Sequence, residues 1–173
     1  STGIKVEGEG EWNARKHGGP KRRIWRKVHL GIDEKTLEIR AVEFTSSDIG
    51  DAPILPELLG QIPPDQEIGN VIADGAYDTR KCHDAIADRG ANAVIPPRKN
   101  VKFWKPDSAG AIARNEALRA SKRLGRKIWR KWSGYHRRSR AETKMYCMKL
   151  LGQRLMAREP DPRSPSFRSV SPS

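Results

Sequence analysis

The sequence is poor in cysteine and aromatic residues and has no long apolar run. Its two cysteines, Cys82 and Cys147, lie far apart and outside any CxxC or Cys/His ligand spacing. That argues against a disulfide framework or a structural zinc site and makes a reducing cytoplasm the expected setting. No stretch approaches the roughly 18 apolar residues of a membrane-spanning helix, so no membrane partner is expected. The phosphate-cradling GxxxxGK[ST], the nucleophile elbow GxSxG and the zinc motif HExxH are all missing. Nucleotide hydrolysis, ester hydrolysis and zinc proteolysis therefore lack support, and no nucleotide cofactor is expected. The four histidines, His17, His29, His83 and His136, are scattered and read as structural or surface residues.

Acidic residues are scarce in one half only. The 173 residues carry 34 Lys plus Arg against 21 Asp plus Glu, a formal charge of +13. Residues 1–97 hold 13 basic and 16 acidic side chains, whereas residues 98–158 hold 19 basic side chains and only Asp107, Glu116 and Glu142 as acids. A smaller basic cluster runs from Arg15 to Lys27. Tryptophan occurs in both basic regions, as Trp25 in the first and as Trp104, Trp129 and Trp132 in the second. Basic stretches release counterions on a phosphate backbone and their aromatics can stack on unpaired bases, so a nucleic-acid partner is expected. A merely solvated basic face is the plainer reading. With 36% apolar residues the chain can form a core, and its length suits one domain.

Periodicity divides the chain into recognisable units. Residues 24–33 and 37–45 form a plausible hairpin around Glu34, Lys35 and Thr36, with Leu37, Ile39, Ala41 and Glu43 on one face of the second strand. Ile54, Leu55, Leu58, Leu59 and Ile62 keep helical spacing until Pro63 and Pro64. Residues 68–74 look like a buried strand, Asp78 or Thr79 can cap a helix through about Arg89, and residues 91–96 return as a strand. That order is a βαβ crossover and predicts a partly parallel sheet. Residues 97–110 read as a basic connector. Residues 111–158 are expected to be mostly helical, interrupted near Ser133 and Gly134, and the Pro/Ser-rich residues 159–173 to be disordered. Both cysteines read as buried or half-buried small residues.

Two acids stand apart. Asp74 ends a predicted strand and Gly75 allows a sharp turn beside it; carboxylates at this edge of a parallel sheet sit where α/β folds bind ligands, although a turn cap explains the residue equally well. Glu142 is the only acid between Glu116 and Glu159. At about 100° per residue, Tyr135, Arg138, Glu142 and Lys149 share one helical stripe, with Ala141, Met145, Met148 and Leu155 beside it to seat the helix. Such a face can hold a metal while contacting phosphate; an ordinary Arg–Glu–Lys surface network is the plainer reading.

The spacing of Tyr135, Arg138, Glu142 and Lys149 resembles the signature around the catalytic glutamate of bacterial insertion-sequence transposases of the insertion-sequence-four superfamily. DGAYDT at 74–79 resembles the segment around the second catalytic aspartate of its insertion-sequence-five family. The opening STGIKVEGEGEW and the following HGGPKRRIWRKVHLGID resemble the region after the first catalytic aspartate, and the three matches run in order along residues 1–158. The resemblance implies an α/β fold, a ribonuclease-H-like mixed sheet flanked by helices, over 1–158. It also implies cut-and-paste DNA transposition in a bacterial cytoplasm, with a homodimer on transposon ends and target DNA. Asp74 and Glu142 would be catalytic and would hold two divalent ions, usually Mg²⁺. Arg138 and Lys149 would grip phosphate, and Tyr135 would pack against or hydrogen-bond the DNA backbone. In the family the first aspartate immediately precedes the Ser-Thr-Gly found here at positions 1–3. A chain beginning at Ser1 is therefore expected to lack the first strand and one metal ligand, as a truncated copy with little activity, and its Pro/Ser tail suggests a frame shift. A non-catalytic basic nucleic-acid-binding protein is the competing function.

Overall fold

Alternating β-branched and polar residues build a hairpin, and its turn is set by one side chain. In the computed structural model, which describes residues 1–6, 17, 24–151 and 154–155, β2 (Ile24–Ile32) pairs antiparallel with β3 (Ile39–Ser46). Asp33 accepts backbone hydrogen bonds from Lys35 at 2.7 Å and Thr36 at 2.9 Å, and these hold its carboxyl below the usual range. Leu37 then takes a left-handed φ of 61° before β3 begins, so it is not part of the strand's apolar face. The buried face of β3 is Ala41 and Thr45, while Ile39 lies beside the turn of the hairpin and is exposed. Beyond β3 there is no further strand among the described residues. The Gln61 side chain takes that place for one residue, accepting from Val42 N at 2.9 Å and donating to Val42 O at 3.0 Å.

On the other side of β2 lies β1 (Thr2–Val6), antiparallel to it, and beyond that β6 (Arg154–Leu155), parallel to β1. A separate two-stranded parallel ladder joins β4 (Asn70–Ile72) to β5 (Asn92–Val94). The expected crossover is therefore present, but its strands are short and pair only with each other among the described residues. The single mixed sheet expected from the sequence is divided in two, and β4, with one edge open, is half-buried rather than buried.

Two helices cover this ladder. After a 3₁₀ turn at Ala52–Ile54, α1 (Leu55–Gly60) buries Leu55, Leu58 and Leu59, as the spacing predicts, but it ends before Pro63. α2 (Arg80–Asp88) is the crossover helix. Its cap is Thr79, whose hydroxyl accepts from Cys82 N at 3.3 Å. Asp78, the other candidate cap, is instead buried with its carboxylate directed at Arg114 and His83. Leu55, Leu59, Cys82, Ile86 and Ile95 close the main core. Cys82 is fully buried and burial pushes its thiol pKa up; Cys147, contrary to expectation, is exposed.

The basic half is broken twice rather than once. α3 (Ala109–Leu124) begins at Ser108, whose hydroxyl accepts from Ala111 N and donates to Asp84 Oδ1 at 2.6 Å. Gly125, at φ 80°, turns the chain into α4 (Arg126–Trp132), and Gly134, at φ 73°, into a 3₁₀ turn at Tyr135–Arg138. α5 (Ser139–Leu151) follows and rests on β2, with Met145 buried. The expected single helical stripe from Tyr135 to Leu155 is thus corrected: Tyr135 and Arg138 precede α5, and Leu155 pairs in β6. The expected tail, residues 159–173, lies outside the described residues.

α3 crosses α2 so closely that Gly110 has no room for a side chain. A Cβ there would lie 2.4 Å from Asp84 Oδ1 and 2.5 Å from backbone atoms of His83 and Asp84. Gly110→Ala is expected to lower stability by about 3 kcal/mol despite alanine's better helix propensity, measurable by urea denaturation.

Candidate active site

Asp74 lies just past β4, where the backbone leaves the ladder and enters a 3₁₀ turn at Gly75–Tyr77. One carboxylate oxygen caps that turn, accepting from Ala76 N at 2.8 Å, so the turn-cap reading is realised. The other oxygen points to Arg138 Nη1 at 3.5 Å. Arg138 also donates through Nη2 to Glu142 Oε1 at 2.6 Å. One guanidinium therefore bridges two carboxylates that stand 68 positions apart in the sequence. The Arg138–Glu142 pair of the plainer reading is present as well, but among the described residues its third member is Asp74 and not Lys149.

The turn bearing Asp74 is held from both sides. Arg98 donates from Nε to Gly75 O at 3.0 Å and from Nη2 to Ala76 O at 2.9 Å. Gly75 packs against the chain leaving β5, where an added Cβ would lie 3.3 Å from Pro96 O. The junction bearing Arg138 is tied to the β2–β3 turn, because Arg137 Nη1 donates to Glu34 Oε1 at 2.8 Å and Arg140 donates to Glu34 O.

Asp74, Arg138, Glu142 and Lys149 line one cleft of about 1000 Å³. It opens between the free edge of β4 and the four-stranded sheet, and Ser1 and Thr2 line it too. Tyr135 stands behind Arg138, its ring 5.7 Å from the Arg138 guanidinium and 5.4 Å from that of Arg130. All five residues singled out in the sequence thus fall in or directly behind this cleft. Residues 1–162 match the family model of the Transposase DDE domain.

The chain belongs to the Transposase DDE domain family. Its role is accordingly that of a transposase domain in DNA transposition, and the mixed α/β fold is consistent with that membership. No solved structure gives a significant match to this transposase domain.

Sequence reasoning missed several residues of the cleft. Asp51 lines it and accepts from Ser1 Oγ at 2.7 Å, with Lys27 Nζ at 3.5 Å and His29 Nδ1 at 3.9 Å. Burial pushes the His29 imidazole below its ordinary pKa, and its Nε2 pairs with Thr45 Oγ1 at 2.8 Å. Tyr77 also lines the cleft, and burial raises its phenol pKa well above the usual value. Neither Asp51, which resembles an ordinary turn acid, nor Arg98, one cation in a basic connector, carries a spacing signal. Among the described residues no group of three or more His, Cys, Asp or Glu side chains is placed to hold a metal.

Proposed function

We propose that this transposase domain cleaves and joins DNA strands by cut-and-paste transposition, as an insertion-sequence-five-type enzyme of the insertion-sequence-four superfamily with a ribonuclease-H-like catalytic core. The observation that carries the reading is the convergence of Asp74 and Glu142 on Arg138 in one cleft. Two accessible carboxylates are hard oxygen donors, and they fit Mg²⁺, which binds through one or two carboxylates and keeps several waters. Divalent ions bound there supply an acidified water and charge stabilisation for in-line displacement at phosphorus. Arg138 and Lys149 contact the phosphate beside the reacting bond, and Tyr135 steadies the guanidinium of Arg138 from behind.

The two-ion form of this chemistry needs a further carboxylate. Because Ser1 and Thr2 line the cleft, an aspartate joined directly before Ser1 would enter the same space. The open edge of β4 and the gap between the two sheets are where a strand carrying that aspartate would unite them into one mixed sheet. The partners in this reading are transposon ends and target DNA, bound by a homodimer in the bacterial cytoplasm.

The test compares Mg²⁺-dependent nicking of DNA by the chain beginning at Ser1 with nicking by the chain extended by an aspartate and its preceding strand. The shorter polypeptide is expected to show little cleavage and the longer one robust cleavage, lost by at least about 100-fold in Asp74→Asn or Glu142→Gln. Salt-sensitive DNA binding with no Mg²⁺ response in either polypeptide would favour a non-catalytic binding protein.

A further inference from the structure

The aromatic side chains of the basic half differ in how they are covered. Phe103 has Arg119 at 5.5 Å and Lys122 at 4.8 Å over its ring, Trp104 has Arg80 at 5.4 Å and Arg114 at 4.3 Å, and Tyr135 has Arg130 and Arg138. Trp129 is buried at 3% exposure. Trp132 and Tyr146 are the exceptions, 72% and 63% exposed with no cation over either ring among the described residues; Tyr146 lines the cleft, and Trp132 stands outside it. An indole this exposed is costly to leave in water.

Its setting is rigid and cationic. α4 is seated by the burial of Trp129 and by Arg126, whose Nη2 donates to Pro97 O at 2.7 Å. Ile128, 60% exposed, stands one turn before Trp132 on the same face. Lys127 and Lys131 border that face, and neither has a carboxylate partner among the described residues. On the adjoining side, Arg130 reaches Tyr135, which touches Arg138 in the cleft. Around α4, at about 100° per residue, Lys127 and Lys131 stand between the Arg130 side and the Trp132 face.

We propose that α4 is a landing site for the unpaired part of a nucleic-acid strand leaving the cleft, with Trp132 stacking on a base and Lys127 and Lys131 contacting its phosphates. Charge complementarity selects nucleic acid over an apolar protein partner. The open ring face selects an unpaired base over a duplex, whose bases already stack on one another. The proposal rests on the nucleic-acid reading of the cleft, but it does not require catalysis.

The experiment measures binding of the full chain to a blunt DNA duplex and to the same duplex with a short single-stranded 3′ extension. Trp132→Ala is expected to weaken binding of the extended duplex by about 5- to 100-fold, the range of one lost base–aromatic stack. Blunt-duplex binding should change less than about two-fold, and Trp132→Phe should keep most of the affinity, since any aromatic face can stack. Equal losses on both DNAs, or no loss on either, would overturn the proposal. So would a shift from dimer to monomer in sedimentation without loss of extension preference, which would assign the ring to a second copy of the chain. The catalytic reading fails separately, through the Mg²⁺ response of cleavage in Glu142→Gln, which Trp132 does not govern.

Discussion

Replacing Arg114 by methionine is expected to lower the stability of this domain by about 3–5 kcal/mol, a large share of the total for a domain this size. Arg114 is 1% exposed in the middle of α3, and its partner Asp78 is equally buried. Arg114 Nε lies 3.1 Å from Asp78 Oδ1 and Nη2 3.3 Å from Oδ2, while Nη1 donates to Lys102 O at 2.7 Å. Asp78 also accepts from Arg98 N at 3.0 Å and pairs with His83 Nε2 at 3.3 Å. Burial alone would raise the Asp78 pKa, but the contacts with His83, Arg114 and the Arg98 amide outweigh it and hold the carboxyl well below the usual range. Methionine keeps most of the volume but leaves this carboxylate buried without its strongest partner.

The same network sets an acid limit. A carboxylate whose folded pKa is depressed contributes stability that is present above its unfolded value, near 3.9, and is lost as pH falls towards the folded value. Wild-type stability should therefore hold from neutral pH to about pH 4 and fall below it. Urea midpoints collected across that range would show it. In Asp78→Asn/Arg114→Met the acid-dependent loss should shrink, and the double variant should cost less than the sum of the singles. Additive costs with an unchanged acid profile would show that the pair is not the link between α3 and the crossover.

Local pattern made the hairpin, α1 and the crossover legible, because each buries an apolar face with its own period. Asp74 and Glu142 were legible because each contradicts its surroundings, one an acid past an apolar run, the other an acid among cations. Arg114 was not legible: among the 19 basic residues of 98–158 nothing local marks its guanidinium as buried, and its partner lies 36 positions away. Asp78 and Thr79 are equivalent as caps in sequence, and tertiary pairing with Arg114 decided between them. The break at Gly125 was missed because a lone glycine in a helical pattern can be tolerated, whereas here its φ of 80° requires a turn. The division into two sheets could not be read from strand patterns, which specify faces but not which edges meet.

That division gives Arg138 its interest, since it joins Asp74 beyond the ladder to Glu142 on α5 across the cleft. Arg138→Ala is expected to reduce DNA cleavage by the extended chain by about 10²–10³-fold, the scale of losing one charged contact in a preorganised site. Stability should change by less than about 1 kcal/mol, because the guanidinium is 34% exposed and its carboxylate partners are more so, at 40% and 61%. The two carboxylates, relieved of a competing cation, should bind Mn²⁺ alone more tightly, while DNA affinity falls and its salt slope decreases by about one. Arg138→Lys should recover only part of the activity, since a single ammonium cannot present two parallel donors to Asp74 and Glu142 or to a phosphate. Unchanged cleavage with a stability loss like that of Arg114→Met would instead make Arg138 a strut between the ladder and α5. The opposite directions expected for metal and DNA affinity separate these roles, because a strut would weaken both.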